Sequence, residues 1–178
     1  MQDLTTFYYQ HIELDATVVE ELREYFLALT QGLTKRGVTN FRDTEAIAEA
    51  CPAFTQWAEH KGLHLKLAAV HHTVGNSDGL LHRDIGSLAV NLNLENCENT
   101  KTQMFRVEGQ GRETRLPDGS VYITYDKDLC NCTVVAEYTL LTPIIINTAQ
   151  PHQVTNSSNQ RRLSLSLRFN EDIAHLLR

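Results

Sequence analysis

The sequence predicts a mainly β fold of the α+β type, an antiparallel β-sandwich or jelly roll buttressed by helices on one face. Three observations point there. Two amphipathic segments lie within residues 1–62, seven or eight short strand-like runs fill residues 63–170, and turn signals separate those runs. No repeat, low-complexity tract or linker divides the chain, so the expectation is a single domain over 1–178. In it, 1–62 is helical support and 63–170 is the core.

The first helix is expected within "DATVVEELREYFLALTQG" (15–32). Val18, Val19, Leu22, Phe26 and Leu29 recur at helical spacing, Asp15 is a cap candidate and Gly32 a stop. The stretch "DTEAIAEACPAFTQWAEHKG" (43–62) reads as one interrupted helix or two short ones, with Pro52 suited to a first turn. From residue 63 the period changes to two. "LHLKLAAVHHTV", "SLAVNLNL", "QMFRVEG", "SVYITYD", "CTVVAEYTL", "TPIIINT" and "RRLSLSLRF" are strand-like, and "GNSDG", "ENCENT", "LPDGS" and "QPH" are turns. A hairpin is expected around Pro117-Asp118-Gly119, and "RVEGQGRETR" (106–115) is a candidate mobile substrate loop.

Composition narrows the function classes. Hydrophobic residues make up 42%, enough for a core, and the formal net charge is −6. That balance argues against charge-driven binding to nucleic acid or a membrane surface. No apolar run reaches the ~18 residues of a membrane span, and "MQDLTTFYYQHIELD" lacks the basic and apolar regions of a signal peptide. Cys51, Cys97, Cys130 and Cys132 read as reduced thiols of a cytoplasmic protein.

The chemistry centres on "LLHRDIGSL". His82-Arg83-Asp84 matches the start of a kinase catalytic loop, but the Asn that should hold magnesium five residues after the Asp is Ala89 here. A Gly-rich loop is also missing upstream. As a strand, the tripeptide instead sends His82 and Asp84 to one side and Arg83 to the other. His152, at the end of "TPIIINTAQPH", supplies a second imidazole. Two histidines and a carboxylate form the facial triad of non-haem iron(II) sites, which leaves open positions for a chelating cosubstrate and O2. On "RRLSLSLRF", Arg162, Ser164, Ser166 and Arg168 share one face, and the leucines and Arg161 share the other. Arg162 with Ser164 makes a fork plus a hydroxyl suited to a carboxylate.

His82, Asp84, His152, Arg162 and Ser164, in that order and spacing, resemble the 2-oxoglutarate and Fe(II)-dependent dioxygenases over residues 63–170. The likeness is to prolyl- and aspartyl-hydroxylase-like members, with the subfamily left open. The resemblance implies a double-stranded β-helix, a cupin-like jelly roll supported by the N-terminal helices. It implies His82, Asp84 and His152 as metal ligands and Arg162, with Ser164, on the far carboxylate of 2-oxoglutarate. The implied reaction couples decarboxylation of 2-oxoglutarate to succinate with O2-dependent hydroxylation of a protein or peptide side chain, or of a small molecule.

Asn91 and Asn93, alternating with Val90, Leu92 and Leu94, are candidate cavity-lining residues near the cosubstrate. Tyr122 and Tyr125 are weaker candidates. His71 and His72 read as packing residues, and Arg168 as a rim or solvated charge. Two alternatives remain open at this level: a cupin-type metalloenzyme that does not use 2-oxoglutarate, and a non-catalytic jelly-roll binding module.

Overall fold

The computed structural model describes residues 4, 6–86, 88–115 and 121–177. Helix α1 (Ala16–Leu29) forms where the apolar spacing places it and buries Val18, Leu22 and Phe26. Asp15 precedes it without making a side-chain cap. At the other end the Thr30 hydroxyl donates to the Phe26 carbonyl at 2.6 Å. The 43–62 stretch resolves into two helices, α2 (Thr44–Ala50) and α3 (Pro52–His60). Pro52 has no N–H to continue α2 and disfavours helical geometry at Cys51, which sits at φ −124°, ψ 68°. It starts α3 instead. The Glu21 carboxylate of α1 then accepts from the otherwise orphaned N–H groups of Ala53 and Phe54 at 2.8 and 3.2 Å.

The strands are β1 (Tyr9–His11), β2 (Gly37–Phe41), β3 (Leu65–Thr73), β4 (Ser77–Asp78), β5 (His82–Asp84), β6 (Leu88–Glu95), β7 (Thr100–Glu108), β8 (Arg112–Arg115), β9 (Val121–Thr124), β10 (Asn131–Tyr138), β11 (Ile144–Asn147), β12 (His152–Asn156) and β13 (Arg162–Phe169). Two antiparallel sheets result. One runs β1-β11-β6-β13-β3-β2; the other runs β10-β7-β12-β5-β9-β8, with β4 on β12. They curl over one another as a jelly roll, the predicted architecture.

Residues 1–62 are more than helical support, which corrects the expected division. β1 pairs with β11, and β2 pairs with β3, so both edges of the first sheet come from the N-terminal third. Both are short runs of at most five residues, too brief to show a period. The 106–115 stretch is likewise the end of β7, a three-residue connection at 109–111 and all of β8, rather than one long loop. The predicted hairpin turn at 117–119 lies outside the described residues, although its flanks β8 and β9 pair antiparallel.

β13 shows how period two builds the site. Leu163, Leu165 and Leu167 are fully buried with α1 and α3 residues in the main core. Each such leucine contributes roughly 2 kcal/mol of transfer free energy. The alternate residues Arg162, Ser164, Ser166 and Arg168 face the other way, into a cavity between the sheets. A second core cluster contains Met104, Tyr138, Ile144 and Ile146. No helix among the described residues is long and apolar enough to cross a membrane, and all four cysteines are free thiols.

Candidate active site

β5 and β12 meet at a single ladder pair, His82 opposite His152. Asp84, two residues on from His82, turns its side chain to the same side. One donor atom from each of the three residues lies within 4.8 Å of the others. The His82 and His152 ring centroids are 4.5 Å apart. Each imidazole lies with Nδ1 2.9 Å from the carbonyl two residues before it, Leu80 for His82 and Gln150 for His152. A carbonyl only accepts, so both Nδ1 atoms carry the proton and both Nε2 atoms keep a lone pair for a metal.

Asp84 is held from two sides. Its N–H donates to the Thr148 carbonyl at 2.8 Å, and Arg168 donates to Oδ2 through one guanidinium nitrogen. The other guanidinium nitrogen donates to the Thr148 hydroxyl at 3.2 Å. Arg168 is therefore neither a rim charge nor a solvated one, because it reaches across from β13 to Asp84. Oδ1 of Asp84 is buried, lacks a hydrogen-bond partner and lies 3.6 Å from Nε2 of His82. Two free Nε2 atoms and one free carboxylate oxygen fit a divalent first-row cation.

The electrostatics keep the donors in the right states. Burial alone would raise the Asp84 pKa, but the Arg168 guanidinium above all holds it below the ordinary carboxylate value. Burial, then the neighbouring His82, pushes His152 down to about 4, so its ring is neutral at pH 7. His71 goes down to about 3, mainly by burial.

On the opposite wall Arg162 is 3% exposed, and its Nε is a buried donor without a partner. Its β13 neighbours Ser164 and Ser166 are equally buried and line the same cavity. Arg161 points to the other face, where Glu95 holds it at 2.8 Å and the Leu33 carbonyl accepts from it at 3.2 Å. Arg162 lies against the Cys97 thiol, whose pKa burial raises and whose thiolate the guanidinium favours. The cavity encloses about 210 Å³, less than the ~300–1,000 Å³ typical of drug-sized ligand sites.

The cavity thus brings His82, Asp84, His152, Arg162, Ser164 and Asn91 together. Asn93 pairs with Ser164 across β6 and β13 but does not line the cavity. Both asparagines keep a buried Oδ1 without a partner. Tyr122 lines it edge-on to the His82 ring at 5.1 Å, whereas Tyr125 does not line it. Arg83 is exposed and paired in register with Ile123. Sequence reasoning missed Arg36, Thr148 and Tyr138 as lining residues. None carries a local motif. Tyr138 is so buried that its pKa is pushed up to about 12. The inward placement of His71 follows from its register opposite Ser164, a signal that strand parity could have supplied.

No protein-family model matches the chain, and no curated protein matches it. Among solved structures, the non-heme alpha ketoglutarate dependent carbocyclase SnoK from nogalamycin biosynthesis aligns with a TM-score of 0.54 at 13% identity. That alignment covers 93% of this chain and 80% of SnoK. The epimerase SnoN, in a complex with Fe3+, alpha ketoglutarate and nogalamycin RO, aligns with a TM-score of 0.52 at 15% identity, covering 97% of this chain and 86% of SnoN. At these identities the likeness is one of fold.

Proposed function

We propose that the chain is a non-haem Fe(II) and 2-oxoglutarate-dependent oxygenase, acting as a hydroxylase. One observation carries the reading. A three-donor cluster within 4.8 Å and a buried, incompletely bonded Arg162 face one another from opposite sheets of one cavity. A cupin-type metalloenzyme without 2-oxoglutarate has no use for that arginine, because burying a guanidinium whose Nε donor lacks a partner is costly.

In this reading His82 and His152, fixed by the Leu80 and Gln150 carbonyls, and Asp84, fixed by Arg168, hold iron. Arg162 and Ser164 bind the far carboxylate of 2-oxoglutarate, and Asn91 lies beside them at the cavity wall. The bound iron supplies activation of O2, coupled to oxidation of 2-oxoglutarate to succinate. The chain's own residues orient the cosubstrate and keep bulk water from the buried end. The small enclosed volume leaves most of a primary substrate outside, with only the reacting group presented at the mouth.

Anaerobic addition of Fe(II) and 2-oxoglutarate to the protein is expected to give a visible metal-to-ligand charge-transfer band. His152→Ala should abolish the band. Arg162→Ala should weaken 2-oxoglutarate binding by on the order of 10²-fold, the scale of a lost charge-assisted pair. Absence of the band in the unaltered protein, with 2-oxoglutarate affinity indifferent to Arg162→Ala, would refute the assignment.

A further inference from the structure

Arg36 is not part of the triad or of the Arg162 pocket, yet it lines the same cavity. It sits immediately before β2. One step back from the Gly37–His72 pair brings it level with Thr73, whose partner on β13 is Arg162. The two arginines therefore stand in one cross-strand row, two strand spacings or roughly 10 Å apart at the backbone. Arg162 is the buried member and Arg36 the exposed one.

The Arg36 guanidinium reaches over the mouth, where a Cβ built on Gly79 would come within 3.7 Å of its Nη2. Gly79 is clamped to β12: its N–H donates to Val154 at 2.6 Å, and its carbonyl accepts from Gln153 at 2.6 Å. Arg36 thus hangs beside the strand that carries His152. Among the described residues no hydrogen bond or ion pair engages it.

The charge around it is one-sided. The lining holds three arginines, Arg36, Arg162 and Arg168, against one carboxylate, Asp84, and Arg168 already occupies that carboxylate. Among the described lining residues no other acidic group remains to receive a cationic substrate. A cavity of net positive charge in a chain of net charge −6 focuses its field on anions. On the proposed function, 2-oxoglutarate uses Arg162 and the metal, which leaves Arg36 free at the mouth. Resting on that reading, we propose that the primary substrate carries an oxyanionic group, carboxylate or phosphate, that Arg36 receives by a forked hydrogen bond.

The test is calorimetric titration of the Zn(II)-loaded protein, first with 2-oxoglutarate and then, once saturated, with inorganic phosphate and separately with acetate. At least one anion should bind after saturation. Arg36→Gln should weaken that binding about tenfold while leaving 2-oxoglutarate affinity unchanged, and Arg36→Lys should restore part of it. Preference for phosphate or acetate tells which group the site is built for. No anion binding, or binding indifferent to Arg36→Gln, overturns the proposal. An Arg36→Gln protein that loses 2-oxoglutarate as strongly as the second anion also overturns it, by placing Arg36 in the cosubstrate pocket. Failure of the unaltered protein to bind 2-oxoglutarate refutes the functional reading instead. The phosphate and acetate comparison on the metal-loaded protein alone then decides for or against Arg36.

Discussion

β13 and β5 form opposite walls of the cavity and are held in opposite ways. β13 runs eight residues, is paired on both sides by β3 and β6, and buries all but one of its residues. β5 is three residues long, pairs once with β12 and three times with β9, and buries none of its residues fully. The first wall is kept in place by a backbone ladder and leucines against helices. The second is kept by individual polar bonds: Leu80 to His82, and Arg168 and Thr148 to Asp84. Stability and chemistry are thus divided between the walls. Few ladder bonds make the ligand edge the part most open to local unfolding. Arg168 is the bridge, rooted in the stable wall and gripping the other.

The largest expected difference comes from cutting the stable wall. Leu165→Ala should cost about 2–5 kcal/mol of folding free energy by leaving a cavity in the helix-side core. Metal affinity of the protein that remains folded should not change. Urea unfolding and a metal titration check the two halves separately; a parallel loss of metal affinity would mean the walls are not independent.

A smaller and opposite pattern is expected at the bridge. Arg168→Gln should weaken metal binding by roughly 10–100-fold, the usual scale for a group that orients a ligand. Arg168→Lys should recover part of the loss. Hydrogen exchange would show faster opening at residues 82–84 but not along β13. Equal acceleration on both strands would erase the distinction.

The last expected effect is in the acid limb of the stability curve. His71 is held near pKa 3 in the fold, against an ordinary value of 6.5, chiefly by burial. Between those values the unfolded chain binds a proton that the folded chain refuses, so this contribution is complete above pH 6.5 and is lost as pH falls toward 3. His152, at about 4, acts in the same direction. His71→Gln should flatten the slope of unfolding free energy against pH by one proton across pH 4–6. An unchanged slope would mean that the ring titrates normally in place.

Much of this was legible along the chain because period two is a local property. The alternation Arg162, Ser164, Ser166 against Leu163, Leu165, Leu167 assigns faces with no knowledge of neighbours, and it separates Arg162 from Arg161 correctly. Helices α1 and α3 were readable for the same reason, and Pro52 marked the break before α3. Strands β1 and β2 were not readable, since their pairing rests on β11 and β3 far along the chain.

By itself, then, the sequence determined which residues share a face and which residue types could ligate a metal or hold a carboxylate. Spacing along a strand and donor chemistry are intrinsic to the chain. Tertiary structure alone decided that His82 lies opposite His152, that Arg168 spends its charge on Asp84, and that Arg36 arrives at the mouth of the cavity. Those are distances between residues 70 to 126 positions apart in sequence, set by sheet register and curl, which no local pattern encodes.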